Sequence, residues 1–204
     1  GHLSPADLEV IPDFPAGWVD YGPVIQYKTR LLNMAFENFR RMNKTLERAE
    51  FAAFGESKQA WLNDYALFMS LKDQHKGAVW STWEKDIATR QPQAIIHWTQ
   101  ALAQEIERHK YLQYQFYKQW AALKWYAQEH GVRIVGDIPI FVAHDSADVW
   151  ANPDLFYLDD HGNPTVVAGV PPDYFSETGQ LWGNPLYCWE RMAETGYAWW
   201  IERF

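Results

Sequence analysis

Residues 132–142 have the sequence VRIVGDIPIFV, and this stretch indicates the fold class of the chain. It is short, apolar and rich in β-branched residues, and it follows a helical pattern that should stop at Gly131. A helix that leads directly into such a run is typical of a buried strand in a parallel α/β sheet. Asp137 and Pro139 fall near its C-terminal end, where the strand should fade because proline cannot donate to a ladder. We therefore predict an α/β fold with a buried strand in this run.

The residues before this run predict a mainly helical region. Residues 1–22 are rich in proline and glycine, which indicates an irregular lead-in. Apolar spacings of three and four then predict helices over 23–49, about 57–74 and about 92–129. The last of these is longer than an average helix, so we expect either a break within it or a bundle-like partner helix.

The residues after the run predict three further features. A turn-rich centre flanked by apolar residues predicts a small hairpin over 156–167. Residues 169–187 show little helical periodicity and are predicted to form a loop, and 189–204 should be helical. The chain is thus expected to be predominantly helical, divided into a helical insert or subdomain at 1–130 and a remainder at 131–204.

Composition excludes several functional classes. The net charge of −8 disfavours nucleic acid as a partner and disfavours an anionic membrane surface. No apolar run is long enough to span a bilayer. The single cysteine, Cys188, cannot form an internal disulfide, which fits a cytoplasmic location. Metal-ligand spacings and glycine-rich nucleotide loops are absent from the sequence, so we predict no metal and no cofactor.

The candidate ligand-binding residues begin with Asp137. A polar residue at the C-terminal end of a buried parallel strand lies where α/β enzymes place groups that bind ligands. Asp137 could equally cap a turn before Pro139, and the sequence pattern leaves both roles open.

The predicted loop over 169–187 combines aromatic rings with hydrogen-bonding groups. Rings can stack on the C–H faces of sugars, while amides and carboxylates can bind sugar hydroxyls. The alternative is a surface loop that packs its own aromatic residues, and an aromatic content of 17% is compatible with either. The candidate residues of this segment are Asp173, Tyr174, Phe175, Gln180, Trp182 and Asn184.

Two further clusters, His144-Asp145 and Asp159-Asp160, could suggest a metal site or an acid–base pair. The histidines are scattered along the chain, and the second pair lies in a predicted turn, where aspartate is expected for backbone reasons. We therefore predict structural roles for both.

Four segments resemble the amylomaltase-type 4-alpha-glucanotransferase family. They are long, ordered and correctly spaced, which makes the resemblance specific, and it is dense over 57–204 and sparse over 1–56. The segments are WLNDYALF at 61–68, VGDIPIFVAHDSADVW at 135–150, GNPTVVAGVPPDYF at 162–175 and TGQLWGNPLY at 178–187.

The resemblance implies a (β/α)8 barrel with inserted helical subdomains, of which this chain would hold a part. It also implies cleavage of an α-1,4 bond in a maltodextrin and transfer of the released segment to another glucan, by a retaining double displacement that needs no cofactor. By the same resemblance, Asp137 lies beside the donor sugar, where it would bind hydroxyls or support the nucleophile. Tyr174 and Phe175 would form the aromatic pair over the acceptor. Asp173, Gln180 and Trp182 supply nearby polar and stacking contacts.

The chain departs from the family at the catalytic carboxylates. The family nucleophile follows an Arg-x-Asp pattern that does not occur in this sequence, so we predict that no catalytic residue lies in this chain and that the chain alone is inactive. An exposed barrel edge could lead to self-association. Two alternatives remain open from the sequence: a stand-alone glucan-binding or regulatory module derived from the same fold, and a helical protein-interaction scaffold over 23–128.

Overall fold

The computed structural model describes residues 2–42 and 45–204. The chain forms two compact units. The first unit combines the residues before Asn63 with Glu107–Arg133, and the second combines Asn63–Ile106 with Ile134–Phe204. The sequence predicted a different division of the chain, into a helical insert at 1–130 and a barrel portion at 131–204. That division stays a prediction.

The described residues are predominantly helical, as predicted. A 3-10 turn at Pro5–Leu8 is followed by irregular chain in the expected lead-in. The helix expected over 23–49 ends earlier, and a second helix follows it. Asn43 and Lys44 lie outside the described residues. The first six helices are α1 (Tyr21–Arg41), α2 (Thr45–Ser57), α3 (Gln59–Gln74), α4 (Lys85–Ala88), α5 (Pro92–Ala101) and α6 (Ala103–Glu129).

The expected break in the long helical pattern is confirmed at Leu102, which separates α5 from α6 with φ −109° and ψ 26°. The predicted stop at Gly131 is also confirmed. Gly131 has φ +69°, and the N–H of Val132 donates to the carbonyl of Ala127 at 2.9 Å. This bond satisfies a carbonyl of the last helical turn, and glycine adopts the left-handed conformation without steric cost.

Each unit has its own core. In the first unit, Phe36 and Phe39 of α1 pack on Tyr111 and Tyr114 of α6, and all four are at most 5% exposed. The core of the second unit is larger and includes Leu71, Ile87, Trp150 and Met192. Burial of such large apolar side chains stabilises each unit by about 1.5–3 kcal/mol per side chain.

The predicted buried strand over 132–142 is wrong. Residues 132–139 have no regular secondary structure, and Val135 is 91% exposed and Ile140 67% exposed. A parallel strand exists only when a neighbouring strand pairs with it, and the only sheet among the described residues is an antiparallel pair elsewhere. The apolar, β-branched composition is a local property, whereas the pairing is not.

The remaining elements follow this run. Helix α7 (Ala147–Ala151) begins at Ser146, whose hydroxyl accepts the N–H of Val149. The small hairpin near 156–167 is confirmed as one antiparallel bridge, Leu158 to Pro164. The only sheet described joins β1 (Val167–Val170) to β2 (Gln180–Pro185).

The helical stretch predicted over 189–204 is two short helices, α8 (Trp189–Glu194) and α9 (Ala198–Arg203). Gly196 and Tyr197 both adopt positive φ, 61° and 60°, and a continuous right-handed helix cannot pass through that backbone conformation. Among the described helices, none is long and apolar enough to cross a membrane.

Candidate functional site

The segment predicted as a loop over 169–187 is a β-hairpin. Strands β1 and β2 pair antiparallel with Gly169 opposite Leu181 and Val170 opposite Gln180, and the register shifts between Val167 and Gly169. The pairing is close: a Cβ on Gly169 would lie 2.7 Å from the carbonyl oxygen of Gln180. This hairpin presents residues 171–179 as an exposed tip.

Asp173 organises the backbone of the tip. Its Oδ1 accepts the N–H groups of Phe175 and Ser176, each at 2.9 Å, while its own N–H donates to the carbonyl of Ser176. The hydroxyl of Ser176 donates to the carbonyl of Gly179 at 2.8 Å and closes the other side of the turn. One oxygen of the predicted site residue Asp173 therefore shapes the turn that carries the aromatic pair.

Tyr174 and Phe175 are the most exposed aromatic pair of the hairpin. Their rings meet edge to face with centroids 4.5 Å apart, and the residues are 92% and 82% exposed. Two large rings held in solvent by an ordered turn are a feature typical of interaction sites. The structure thus brings together three sequence-predicted residues at the tip, with Asp173 placing the other two.

Gln180 and Trp182 lie on β2. As residues i and i+2 of a strand, their side chains point to the same face. The indole N–H of Trp182 donates to the side-chain oxygen of Gln180 at 3.0 Å, and Trp182 is 46% exposed. This bond fixes the orientation of an exposed indole ring, which then offers a flat apolar face.

Asp137 is exposed and lies three residues before a segment bound to β2. The Asn184 amide donates to the carbonyl of Val142 at 2.9 Å, and the Tyr187 hydroxyl donates to the carbonyl of Ile140 at 3.0 Å. The sequence identified Asn184 as a candidate residue but could not predict its hydrogen-bond partner. Tyr187 was not among the candidate residues. No local pattern could have found these bonds, because the partners are 42 and 47 residues apart.

The two acidic clusters make hydrogen bonds and an ion pair within the fold. Asp145 accepts a hydrogen bond from the ammonium group of Lys72 at 2.6 Å, and the ring of His144 is hydrogen-bonded to the carbonyl of Gly162. Asp159 accepts the N–H groups of Asn163 and His161, and these backbone hydrogen bonds, the one from Asn163 foremost, lower the pKa of its carboxyl group. Over residues 2–42 and 45–204, no group of three or more His, Cys, Asp and Glu side chains is arranged to hold a metal ion.

A concavity of about 630 Å³ lies beside Ile140 and Phe141 and is walled mainly by aromatic side chains. Trp189 and Trp200 stack nearly parallel, at 13° and 6.2 Å, while the hydroxyl of Tyr157 is bound to Glu190. A pocket with so few polar groups suits an apolar ligand better than a sugar, because the sugar hydroxyls need several hydrogen-bond partners. This pocket therefore differs in its chemistry from the hairpin, where aromatic rings and hydrogen-bonding side chains lie together.

Comparison with known proteins gives a consistent assignment. The family model described as 4-alpha-glucanotransferase matches residues 2–204. A 4-alpha-glucanotransferase of Synechocystis sp. is 50% identical over 205 residues, which cover 100% of this chain and 41% of that protein. The enzyme of Thermus thermophilus is 51% identical over 192 residues, covering 94% and 38%. The chloroplastic/amyloplastic enzyme of rice is 38% identical over 202 residues, covering 98% and 32%.

A solved structure agrees with these relatives. Amylomaltase from Streptococcus agalactiae, in complex with acarbose, matches with a TM-score of 0.91 and 36% identity over 99% of this chain and 41% of that chain. The described residues thus have the fold of the matched portion of an amylomaltase, although the partial (β/α)8 barrel predicted from the sequence is not confirmed. The chain spans roughly two fifths of the length of its bacterial relatives and less of the rice enzyme. It belongs to the 4-alpha-glucanotransferase family.

Proposed function

We propose that this chain supplies sugar-binding surface to a 4-alpha-glucanotransferase, which cleaves an α-1,4 bond in a maltodextrin and transfers the released segment to a second glucan. The observation that carries the proposal is the exposed aromatic pair Tyr174 and Phe175 on an ordered hairpin tip, in a chain of this family. The stand-alone binding module considered from the sequence is not favoured, since the relatives are named as enzymes and are much longer than this chain.

The tip has the geometry of an acceptor platform. An edge-to-face pair presents two ring faces at an angle, so successive glucose units of a curved α-1,4 chain can stack on them in turn. Asp173 uses Oδ1 within the turn, and we assign Oδ2 to a sugar hydroxyl. Trp182 adds a further stacking surface, and Gln180, which orients it, adds an amide donor.

Asp137 is assigned to the hydroxyls of the donor sugar. An exposed carboxylate accepts hydrogen bonds from hydroxyls without desolvation of a buried charge. The chemistry of a retaining double displacement requires two carboxyl groups about 5–5.5 Å apart, one as nucleophile and one as acid and then base. We place neither in this chain, because the Arg-x-Asp pattern of the family nucleophile is absent from its sequence.

A hairpin beside the acceptor also explains how transfer could prevail over hydrolysis. The second step needs a sugar hydroxyl where water would otherwise react, and surfaces that cover a site exclude water from it. An aromatic tip favours sugar over water because the ring faces bind C–H groups and are poor hydrogen-bond partners for water.

Titration calorimetry with maltoheptaose tests the binding proposal. Replacing both Tyr174 and Phe175 by alanine should weaken binding at least about tenfold, the loss typical of truncated aromatic hot spots. The matched control replaces Trp125 and Tyr126, an adjacent aromatic pair that is also exposed, at 64% and 58%. Equal affinity of the two double variants would contradict the assignment of the site.

A disproportionation assay tests the catalytic side. The chain alone, incubated with maltotriose, should yield neither glucose nor longer maltodextrins. Products that survive removal of trace contaminating enzyme would mean that a carboxylate within these residues performs the chemistry, and the placement of the nucleophile outside this chain would be wrong.

Self-association is the second property that we propose for this chain. Val132, Val135 and Ile140 are 57%, 91% and 67% exposed, and a run of apolar residues in open backbone favours pairing with another copy. Gel filtration at two concentrations should show a concentration-dependent shift towards a larger species, and a clean monomer at both would exclude it. Cytoplasmic location and the absence of nucleic-acid and membrane partners stay predictions from composition.

A further inference from the structure

We propose that Asn184 and Tyr187 are positioning residues: they hold the segment that follows Asp137 against the end of strand β2 and the residues just beyond it, and so set where Asp137 lies relative to Trp182. We call the two hydrogen bonds that they donate, to Val142 and to Ile140, the β2 clamp. The inference rests on the proposed function, because Asp137 and Trp182 matter as a pair only if both contact glucan.

The clamp supplies hydrogen-bond partners where a ladder is missing. The run before Val142 has no strand neighbour among the residues described, so its carbonyl groups need donors from elsewhere. Asn184 donates to Val142 and Tyr187 donates to Ile140, so the two bonds lie on either side of Phe141, in a bent stretch of chain. The two side chains thereby satisfy two backbone carbonyls and fix this segment against residues 184–187.

Aromatic packing by Phe141, which lies between the two residues that accept the clamp's hydrogen bonds, reinforces the clamp. The ring of Phe141 stacks on Tyr187 at 5.8 Å and 14°, and it meets the Trp182 ring edge to face at 6.1 Å. Phe141 therefore connects the clamped segment directly to the indole that we assign to sugar stacking. A shift of the segment must move Phe141, and Phe141 cannot move without changing the surroundings of Trp182.

Burial keeps the Tyr187 bond in place over a wide pH range. Tyr187 is 3% exposed, and desolvation raises the pKa of its phenol above the usual value. The hydroxyl thus remains a protonated donor at neutral pH. Val142, which accepts from Asn184, is also buried, so water cannot easily replace the lost donor in a variant.

Fluorine NMR on protein labelled with 5-fluorotryptophan tests the clamp without reference to glucan. The Trp182 signal is assigned by its loss in Trp182→Phe. Asn184→Ala and Tyr187→Phe should each shift or broaden this signal, because each removes one bond of the clamp. Tyr187→Phe retains the ring and its packing, so it reports on the hydroxyl alone even if Asn184→Ala folds poorly.

Matched controls come from the same unit. Asn152→Ala removes an amide bond to the carbonyl of Asp148 at 3.1 Å, and Tyr157→Phe removes a phenol bond to Glu190 at 3.1 Å. Both leave the clamp intact, so the Trp182 signal should not change. An unchanged signal in the two clamp variants, or equal changes in clamp and control variants, would overturn the proposal.

Maltoheptaose affinity separates this inference from the proposed function. The clamp variants should bind about three- to tenfold more weakly than the wild type, the effect of one lost hydrogen bond, while the controls should bind normally. A shifted Trp182 signal with unchanged affinity would overturn the role in positioning the sugar site. If the wild-type chain binds no glucan, the proposed function fails and the Trp182 signal alone decides whether the clamp exists.

Discussion

Replacing Gly162 with alanine should destabilise the second unit strongly, because the glycine lies directly against a buried indole. A Cβ at this position would lie 2.4 Å from Cη2 of Trp80 and 2.6 Å from Cζ3. Trp80 is 3% exposed, and its indole N–H donates to the carbonyl of His144 at 2.8 Å, so the ring cannot withdraw without losing that bond. Overpacking of this kind costs about 1–3 kcal/mol. Gly162 also has φ +78°, where a Cβ costs about 1–2 kcal/mol more.

The matched control for this substitution is Gly77→Ala. Gly77 has φ +82°, and no atom lies within 4 Å of a Cβ built on it, so this variant carries the conformational cost alone. Urea unfolding should therefore show Gly162→Ala to be less stable than Gly77→Ala by about 1–3 kcal/mol, at an unchanged m-value. Free energies of unfolding that agree within about 0.5 kcal/mol would refute the packing argument.

Two further predictions concern charged groups of the second unit. Lys72→Met should lower the free energy of unfolding by about 1.5–3 kcal/mol, because it leaves Asp145 without the ammonium group bound at 2.6 Å. The double variant Lys72→Met, Asp145→Asn should recover part of this loss, and urea unfolding measures both. Asp159 has a lowered pKa in the folded chain, so its contribution to stability is present above its unfolded pKa, near 3.9, and is lost as the pH falls through the folded pKa. Unfolding measured from neutral pH into acid should therefore show a weaker pH dependence for Asp159→Asn than for Asp160→Asn, and identical profiles would contradict this role.

Local sequence patterns predicted the helical part of this chain well. The long pattern over 92–129 predicted a helix with either a break or a bundle-like partner, and a break occurs at Leu102. Gly131 predicted the helix stop because its left-handed conformation costs little for glycine. The helix expected over 23–49 was wrong in its end, since α1 stops at Arg41. Helical hydrogen bonds join residues four apart, so short windows contain most of the information that a helix needs.

The candidate site was predicted only in its residues. Asp173, Tyr174 and Phe175 were chosen from their chemistry and the family resemblance, and the structure places them at one hairpin tip. The hairpin itself was predicted as a loop, because glycine and proline at its tip obscure the strands on either side. The use of Asp173 as the organiser of the turn follows from backbone geometry, which residue type alone does not specify.

The sequence by itself determined the family, the helical segments and the chemical types present at the hairpin. Only the tertiary structure decided that most of VRIVGDIPIFV is exposed and forms no strand among the described residues, and that Asn184 and Tyr187 bind its last residues across 42 and 47 positions of the chain. The physical reason is the range of the interactions. Propensity and periodicity act between near neighbours, whereas strand pairing and side-chain bonds to a distant backbone depend on which segments the fold brings together.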